Sequence, residues 1–362
     1  MKPITIVLLG SMLMAAKPAD RLLTGGFKAF ETPVPESSGQ WDSRKPELRA
    51  KLWELLGDMP PLFTPEVMVH IKEQFDGYTT EKFSFDNGVG DRVYGYFVVP
   101  TGHSGRGPAI LYNHYHGGRY TQGKEELFMK AFEGIGHSLE TGKELVKQGY
   151  VICAIDAYAF GERRFQGPKG REEEGRETEE SLFRAFIWQG KTLWGMMVRD
   201  DLLALNYLLS RPEVDPERVA AMGMSMGSTR SWWAAALDDR IKCVVSVACL
   251  TRYQDLIRTG DVRNHGIYYY VPDLLKHGID IESVVGLIAP RPHLTLTGDS
   301  DEGSPVSGVR TINAFQTYLY QLYGRQDEFV GEIYEDTGHV YTDEMWTKTL
   351  QWLDKHLKRD GD

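Results

Sequence analysis

Val219-Ala220-Ala221-Met222-Gly223-Met224-Ser225-Met226-Gly227 is the stretch on which the reading of this chain turns. Its first four residues form an apolar run of strand length. Residues 228–237, Ser-Thr-Arg-Ser-Trp-Trp-Ala-Ala-Ala-Leu, read as a helix. The join is Gly-x-Ser-x-Gly, and its glycines have a physical reason. A serine exposed on a sharp strand-to-helix turn sits in strained backbone geometry, so the residues two positions away must be small. The helix that follows points its free N–H groups at the serine, where they favour developing negative charge. Ser225 is therefore the expected nucleophile, and the backbone N–H of Met226 a candidate oxyanion donor.

Working outward, apolar runs at 109–112, 150–155, 219–222, 241–248, 293–297 and 328–334 alternate with helical stretches near 127–147, 180–209, 228–237, 306–322 and 343–357. Such alternation predicts a mostly parallel sheet covered on both faces. Before it, residues 67–99 hold three strand-like runs separated by turns at Gly77-Tyr78 and at 87–91, an antiparallel start. A helix is expected over 47–56, ending at Gly57. Residues 20–43 read as a linker, and 44–362 as one domain. Two segments interrupt the alternation, near 161–178 and 250–286, and are expected to roof a pocket.

The base and the acid should follow the nucleophile in the order Ser, acid, His. His339, in Thr337-Gly338-His339, comes directly after the last strand run and before the final helix. His356 lies among Lys355, Lys358 and Arg359 and reads as solvated surface; His293 reads as structural. Thr297-Gly298-Asp299-Ser300-Asp301-Glu302 supplies the acid. The spacing Gly298-x-x-Asp301 with Pro305 beyond it favours Asp301, with Asp299 as the alternative. The acid would fix the tautomer of His339 and stabilise its imidazolium. Asn113-His114-Tyr115-His116-Gly117-Gly118, after an earlier strand, is the expected second half of the oxyanion hole, with donors from His116, Gly117 or Gly118. His114-x-His116 also fits a metal pair, but no third ligand has suggestive spacing. No metal or other cofactor is expected.

These motifs together resemble the acetyl xylan esterase and dienelactone-hydrolase-like branch of the α/β-hydrolases. The matching stretches are 114–118 with 123–125, Asp156 with 160–163, 210–218, the Ser225 turn, 270–272, 289–292, Gly298-x-x-Asp301 and His339. The resemblance spans about residues 41–358. It implies an α/β-hydrolase fold with an eight-stranded sheet and a Ser225–Asp301–His339 triad. It also implies a carboxylesterase acting on small acyl esters, often acetyl esters of sugars. A dienelactone hydrolase uses a cysteine nucleophile, so Ser225 favours ordinary ester hydrolysis. A serine peptidase or lactonase of the same fold is the alternative, and a non-catalytic binding protein a further one. Arg119, Tyr158, Trp188 and His265 are candidate substrate contacts. Arg119, Lys124, Arg163 and Arg164 also read as loop-holding ion pairs.

Composition bounds the partners. Net charge is −10 at pH 7, which argues against a nucleic-acid partner, since phosphate binding needs a basic face. The expected partner is a small-molecule or carbohydrate ester; oligomeric state is not legible. Cys243 and Cys249 fall on one strand run at about 3.3 Å per residue, too far apart to bridge. Lys2 followed by the apolar run 4–16 makes residues 1–19 a candidate signal peptide, with export to the periplasm or beyond expected and a cytoplasmic location the alternative. The run is too short to span a bilayer, so no integral membrane span is expected.

Overall fold

In a computed structural model that describes residues 28–129, 140–248 and 250–359, one sheet runs through the molecule in the order β1-β2-β3-β5-β4-β6-β7-β8-β9. The first three strands, β1 (Met68–Phe75), β2 (Tyr78–Asp86) and β3 (Arg92–Pro100), are antiparallel. The β1–β2 turn is Asp76-Gly77, with Gly77 at φ 89°, a backbone region that suits glycine. β3 pairs antiparallel with β5 (Val151–Ile155). β5 then runs parallel to β4 (Gly107–Asn113), and the parallel set continues through β6 (Val214–Met224), β7 (Cys243–Val247), β8 (His293–Gly298) and β9 (Phe329–Tyr334).

The sheet has nine strands, not eight. The additional one follows from the hairpin: β1 is exposed along its whole length and is held in the sheet by backbone pairing to β2, with side-chain contacts from His70 to Ser84 and from Lys72 to Glu81. The candidate signal peptide and Cys249 lie outside the described residues. Cys153 and Cys243 are buried free thiols.

Helices cover both faces because the central strands are apolar on both. Ala109 and Leu111 of β4 enter one buried cluster, Ile110 and Tyr112 the other. The first cluster takes side chains from α1 (Ser38–Leu56); the second takes Leu145 and Val146 from α2 (Thr141–Lys147). To the first also belong α3 (Arg176–Trp188), α4 (Leu193–Ser210), α5 (Met226–Leu237), α7 (Ile281–Gly286) and α8 (Val306–Leu322). α9 (Asp343–Leu357) lies on the second. The short α6 (Tyr253–Thr259) belongs to the segment after β7.

Three boundaries depart from expectation for identifiable reasons. α1 starts at Ser38, inside the expected linker, because Ser37 caps it by accepting from Gln40 N–H (3.2 Å) and Trp41 is fully buried, its Nε1 donating to Gly286 O (3.0 Å). The expected helix over 180–209 is two helices. Gly190, at φ 73°, breaks it, and Thr192 caps α4 by accepting from Gly195 N–H at 2.9 Å. Of the stretch near 127–147, residues 130–139 lie outside the described residues; residues 141–147 are helical, while Gly123–Phe128 is a 3-10 turn.

α4 and α5 are tied by a fully buried pair. Arg230 Nε and Nη2 donate to the two carboxylate oxygens of Asp201 at 2.9 and 2.5 Å. Removing one partner strands the other's charge in the core. Arg230→Ala is expected to lower unfolding free energy by about 3–5 kcal/mol, read from the urea denaturation midpoint.

Candidate active site

Ser225 stands between β6 and α5 with φ 55° and ψ −117°, a conformation that non-glycine residues avoid. It is held there by its own backbone. Its N–H donates to Val247 O on β7 (2.8 Å) and its C=O accepts from Thr229 N–H in α5 (2.9 Å). The flanking glycines serve a close approach. A Cβ on Gly223 would lie 2.3 Å, and one on Gly227 2.0 Å, from the carbonyl oxygen of Asn113. Their absence lets the end of β4 press against the turn, which brings the loop after β4 to the N-terminus of α5.

The acid and base loops meet by the same device. A Cβ on Gly298 would lie 2.0 Å from Thr337 O. With glycine there, Ser300 N–H donates to Thr337 O (2.9 Å) and Asp299 N–H to Tyr334 O (2.9 Å). The result is a hydrogen bond of 2.8 Å between His339 Nδ1 and Asp301 Oδ2. Asp301's side chain is buried, and its other oxygen accepts from Gly303 N–H (2.9 Å). Asp299 is turned elsewhere, accepting from Ser300 Oγ and Thr337 N–H. Nδ1 of His339 is thus engaged, leaving Nε2 for the cavity. Ser225, Asp301 and His339 all line one cavity of about 380 Å³, with Asn264, Tyr268 and Tyr269. A second lobe, about 440 Å³, shares Ser225 and His339 and is lined by His116, Gly117, Arg176, Glu179, His265 and others.

The loop after β4 narrows the choice of oxyanion donors. Gly118 N–H donates back to His116 Nδ1 (3.0 Å), so Gly118 drops out of the expected set. Tyr115 N–H donates to Glu126 Oε2 (2.8 Å), while Tyr112 Oη donates to Glu126 Oε1 (2.5 Å). Burial pushes the Glu126 carboxyl up to about 7. His116 and Gly117 remain beside Ser225, with Met226 at the first turn of α5. Because His116 Nδ1 accepts, its Nε2 is the donor to Glu179 Oε2 (2.9 Å), and its ring stacks on Tyr268 at 4.7 Å.

His114 points away from the cavity: Nδ1 donates to Tyr115 O (2.9 Å) and Nε2 accepts from Ala157 N–H (3.0 Å). Burial pushes its pKa well below the usual imidazole range. All four nitrogens of the two imidazoles therefore have protein partners. Among the described residues no group of three or more His, Cys, Asp or Glu is placed to hold a metal ion.

Of the expected substrate contacts, His265 lines the cavity, and burial lowers its pKa to about 4. Tyr158 does not. It is fully buried, its hydroxyl donates to Asp91 (2.8 Å) and accepts from Asn87 (2.9 Å), and the Arg163 guanidinium lies 3.7 Å over its ring. Trp188 lies at the end of α3, 86% exposed and outside the residues that line the cavity. Arg119 is exposed and likewise outside the lining. Lys124 pairs with Asp156 and Glu162, Arg163 with Asp200, and Arg164 with Glu174. His293 bonds Ser246 within the sheet (2.9 Å). His356 is not solvated: it meets Glu328 at 3.2 Å and packs on Trp352. Sequence reasoning missed Arg176, Glu179, Glu180, Arg263 and Asn264, whose motif-free segments come to Ser225 only through the fold.

The sequence profile described as "Dienelactone hydrolase family" matches residues 127–270. A Bacillus subtilis (strain 168) protein named as a candidate hydrolase, YtaP, is 37% identical over 314 residues, 86% of this chain and 99% of that one. A solved structure of a candidate acetyl xylan esterase from Bacteroides fragilis superposes with TM-score 0.68 at 20% identity, covering 88% of this chain and 80% of the other. A glucuronoyl esterase from Solibacter usitatus gives 0.67 at 14% identity, over 92% and 100%. At those identities the two structures speak for the fold.

The hydrogen bond to Asp301 distinguishes the two candidate acids. Asp301→Asn is expected to lower kcat for p-nitrophenyl acetate by about 10⁴-fold through the wrong His339 tautomer. Asp299→Asn, off the imidazole, should keep kcat within about tenfold.

Proposed function

This chain belongs to the dienelactone hydrolase family of α/β-hydrolases and is a carboxylic-ester hydrolase, and from that premise we propose that it works as a serine esterase through Ser225, His339 and Asp301, on small acyl esters and foremost acetyl esters of a sugar or polysaccharide. The observation that carries the reading is the imidazole of His339, bonded at Nδ1 to a buried carboxylate and lining one cavity with a serine held at positive φ.

In this mechanism the Ser225 hydroxyl attacks the ester carbonyl as His339 Nε2 takes its proton. Asp301 keeps the remaining proton on Nδ1 and steadies the imidazolium. The oxyanion develops at the N-terminus of α5, where the N–H of Met226 and an N–H of the His116–Gly117 stretch are the donors. The alcohol leaves with the proton from Nε2, and an acyl-enzyme remains. Water, deprotonated by the same imidazole, then releases the acid and restores Ser225.

The cavity chemistry supports a polyhydroxyl substrate. Arg176, Glu180, Arg263 and Asn264 bring hydrogen-bonding groups around Ser225, beside the rings of Tyr268 and Tyr269. Both aromatic residues come from the segment after β7, which supports its part in choosing substrate. Export remains a proposal resting on Lys2 and the apolar run 4–16.

Ser225→Ala is expected to lower p-nitrophenyl acetate turnover by about 10³-fold or more, and a serine-reactive phosphonate should label the wild-type chain at Ser225, as read by peptide mass spectrometry. Near-normal turnover in that variant would reject the nucleophile.

A further inference from the structure

The segment after β7 lines a second, partly open pocket, about 370 Å³ in volume, with His265 and Tyr269 in its wall. Its walls are apolar. Leu256 and Ile257 come from α6, and Leu274 and Leu275 from the turn before α7, with the Tyr253 ring alongside. The charged side chains at it, Asp273 and Lys276, are exposed and lie 3.6 Å apart as a pair. One buried carboxylate ties the walls together: Asp280 accepts from the N–H groups of Tyr253 (2.9 Å), Gln254 (3.1 Å) and Ile281 (2.8 Å). The space is well above the roughly 150 Å³ of an apolar cavity that takes up benzene. A partly open apolar pocket of this size, braced through Asp280, has the character of a small-ligand site.

Two residues join this chamber to the chemistry. Tyr269 also lines the cavity that holds Ser225, Asp301 and His339, and His265 also lines its second lobe. Their rings lie 4.4 Å apart, and Tyr269 packs on Trp194 at 4.9 Å. We propose that the chamber is an apolar subsite that receives an uncharged aromatic or branched-alkyl group of the ester, with His265 and Tyr269 as the contact shared with the catalytic cavity. The inference rests on the serine-esterase reading at Ser225 and parts from it over the acetyl group, which is too small to fill the chamber. The substrate joins a polar, sugar-like portion to an apolar group across or near the scissile bond. A sugar ring does not suit the chamber, because its hydroxyls would lose water without gaining partners. The neutral state that burial imposes on His265 agrees with an apolar wall. The apolar group is either the acyl or the alcohol portion, and the two arms of the test separate these.

The test compares wild type with Ile257→Trp and Leu275→Trp, two half-buried positions at which indole fills the chamber. Turnover is expressed per phosphonate-reactive chain, so unfolded protein does not count. The acyl arm is the kcat/KM ratio of p-nitrophenyl phenylacetate to p-nitrophenyl acetate. The alcohol arm is the ratio of benzyl acetate to ethyl acetate. A drop of about tenfold or more in one arm, in both variants, is expected for an apolar group that loses its pocket. A smaller change in both arms overturns the proposal. Benzyl alcohol binding to the Ser225→Ala protein, followed by saturation-transfer NMR, reads the chamber without catalysis, and the tryptophan substitutions should abolish it. If Ser225→Ala is inactive, the ratios decide. If it is active, the assignment of Ser225 as nucleophile has failed and benzyl alcohol binding alone decides.

Discussion

A side chain on Gly227 would put its Cβ 2.0 Å from the carbonyl oxygen of Asn113, and the geometry of the site follows from having none there. The end of β4 closes onto the turn at Ser225 only because Gly223 and Gly227 are bare. That contact sets the loop 114–118 against the N-terminus of α5. It also leaves Ser225 at positive φ, held by backbone hydrogen bonds to β7 and α5. Strain of this kind costs on the order of 1–3 kcal/mol and persists only where surrounding structure over-determines it. Here the over-determination is visible: a parallel strand on each side of β6 and a helix starting at the next residue.

The loops around this point are braced by buried ions. Lys124 meets Asp156 and Glu162 at 2.9 and 2.8 Å, and Asp156 also accepts from the Lys124 and Glu162 backbone N–H groups. Burial pushes the Asp156 carboxyl up to about 6, while Lys124's ammonium works against that shift. The carboxylates around Lys124 in turn raise its own pKa. Such pairs add little net stability over apolar packing, but breaking one is expensive. Their effect is to fix where the loop after β4 and the loop after β5 lie. Arg163, packed over Tyr158 and paired with Asp200, acts the same way. Lys124, Arg163 and Arg164, cations that look like anion-binding residues in the sequence, are each paired with a carboxylate.

The segment after β7 carries a different burden. It supplies Asn264, Tyr268 and Tyr269 to the catalytic cavity and builds an apolar chamber behind them. Ser225, Asp301 and His339 sit on sheet ends and their loops, where position is set by strand pairing. Asn264, Tyr268 and Tyr269 sit on short helical turns, in a segment whose α6 and α7 are joined through Asp280. The proposed chemistry and the proposed selectivity thus rest on parts of the molecule with different supports.

The amino-acid sequence by itself determined the alternating strands and helices, the turn at Ser225, the order Ser–acid–His, and the short list from which Asp301 was drawn. These are legible because periodicity, glycine placement and chain order are local properties. The sequence left open Asp301 against Asp299, two residues apart at the end of one strand. Only the packing of Thr337–Gly338 on Gly298 decided which carboxylate meets the imidazole. Gly118's loss as a donor, Tyr158's place in the core and the arrival of Arg176, Glu179 and Asn264 at the cavity were likewise tertiary outcomes. Each depends on contacts between segments tens of residues apart, and no local pattern encodes which side chain such a contact will bury or expose.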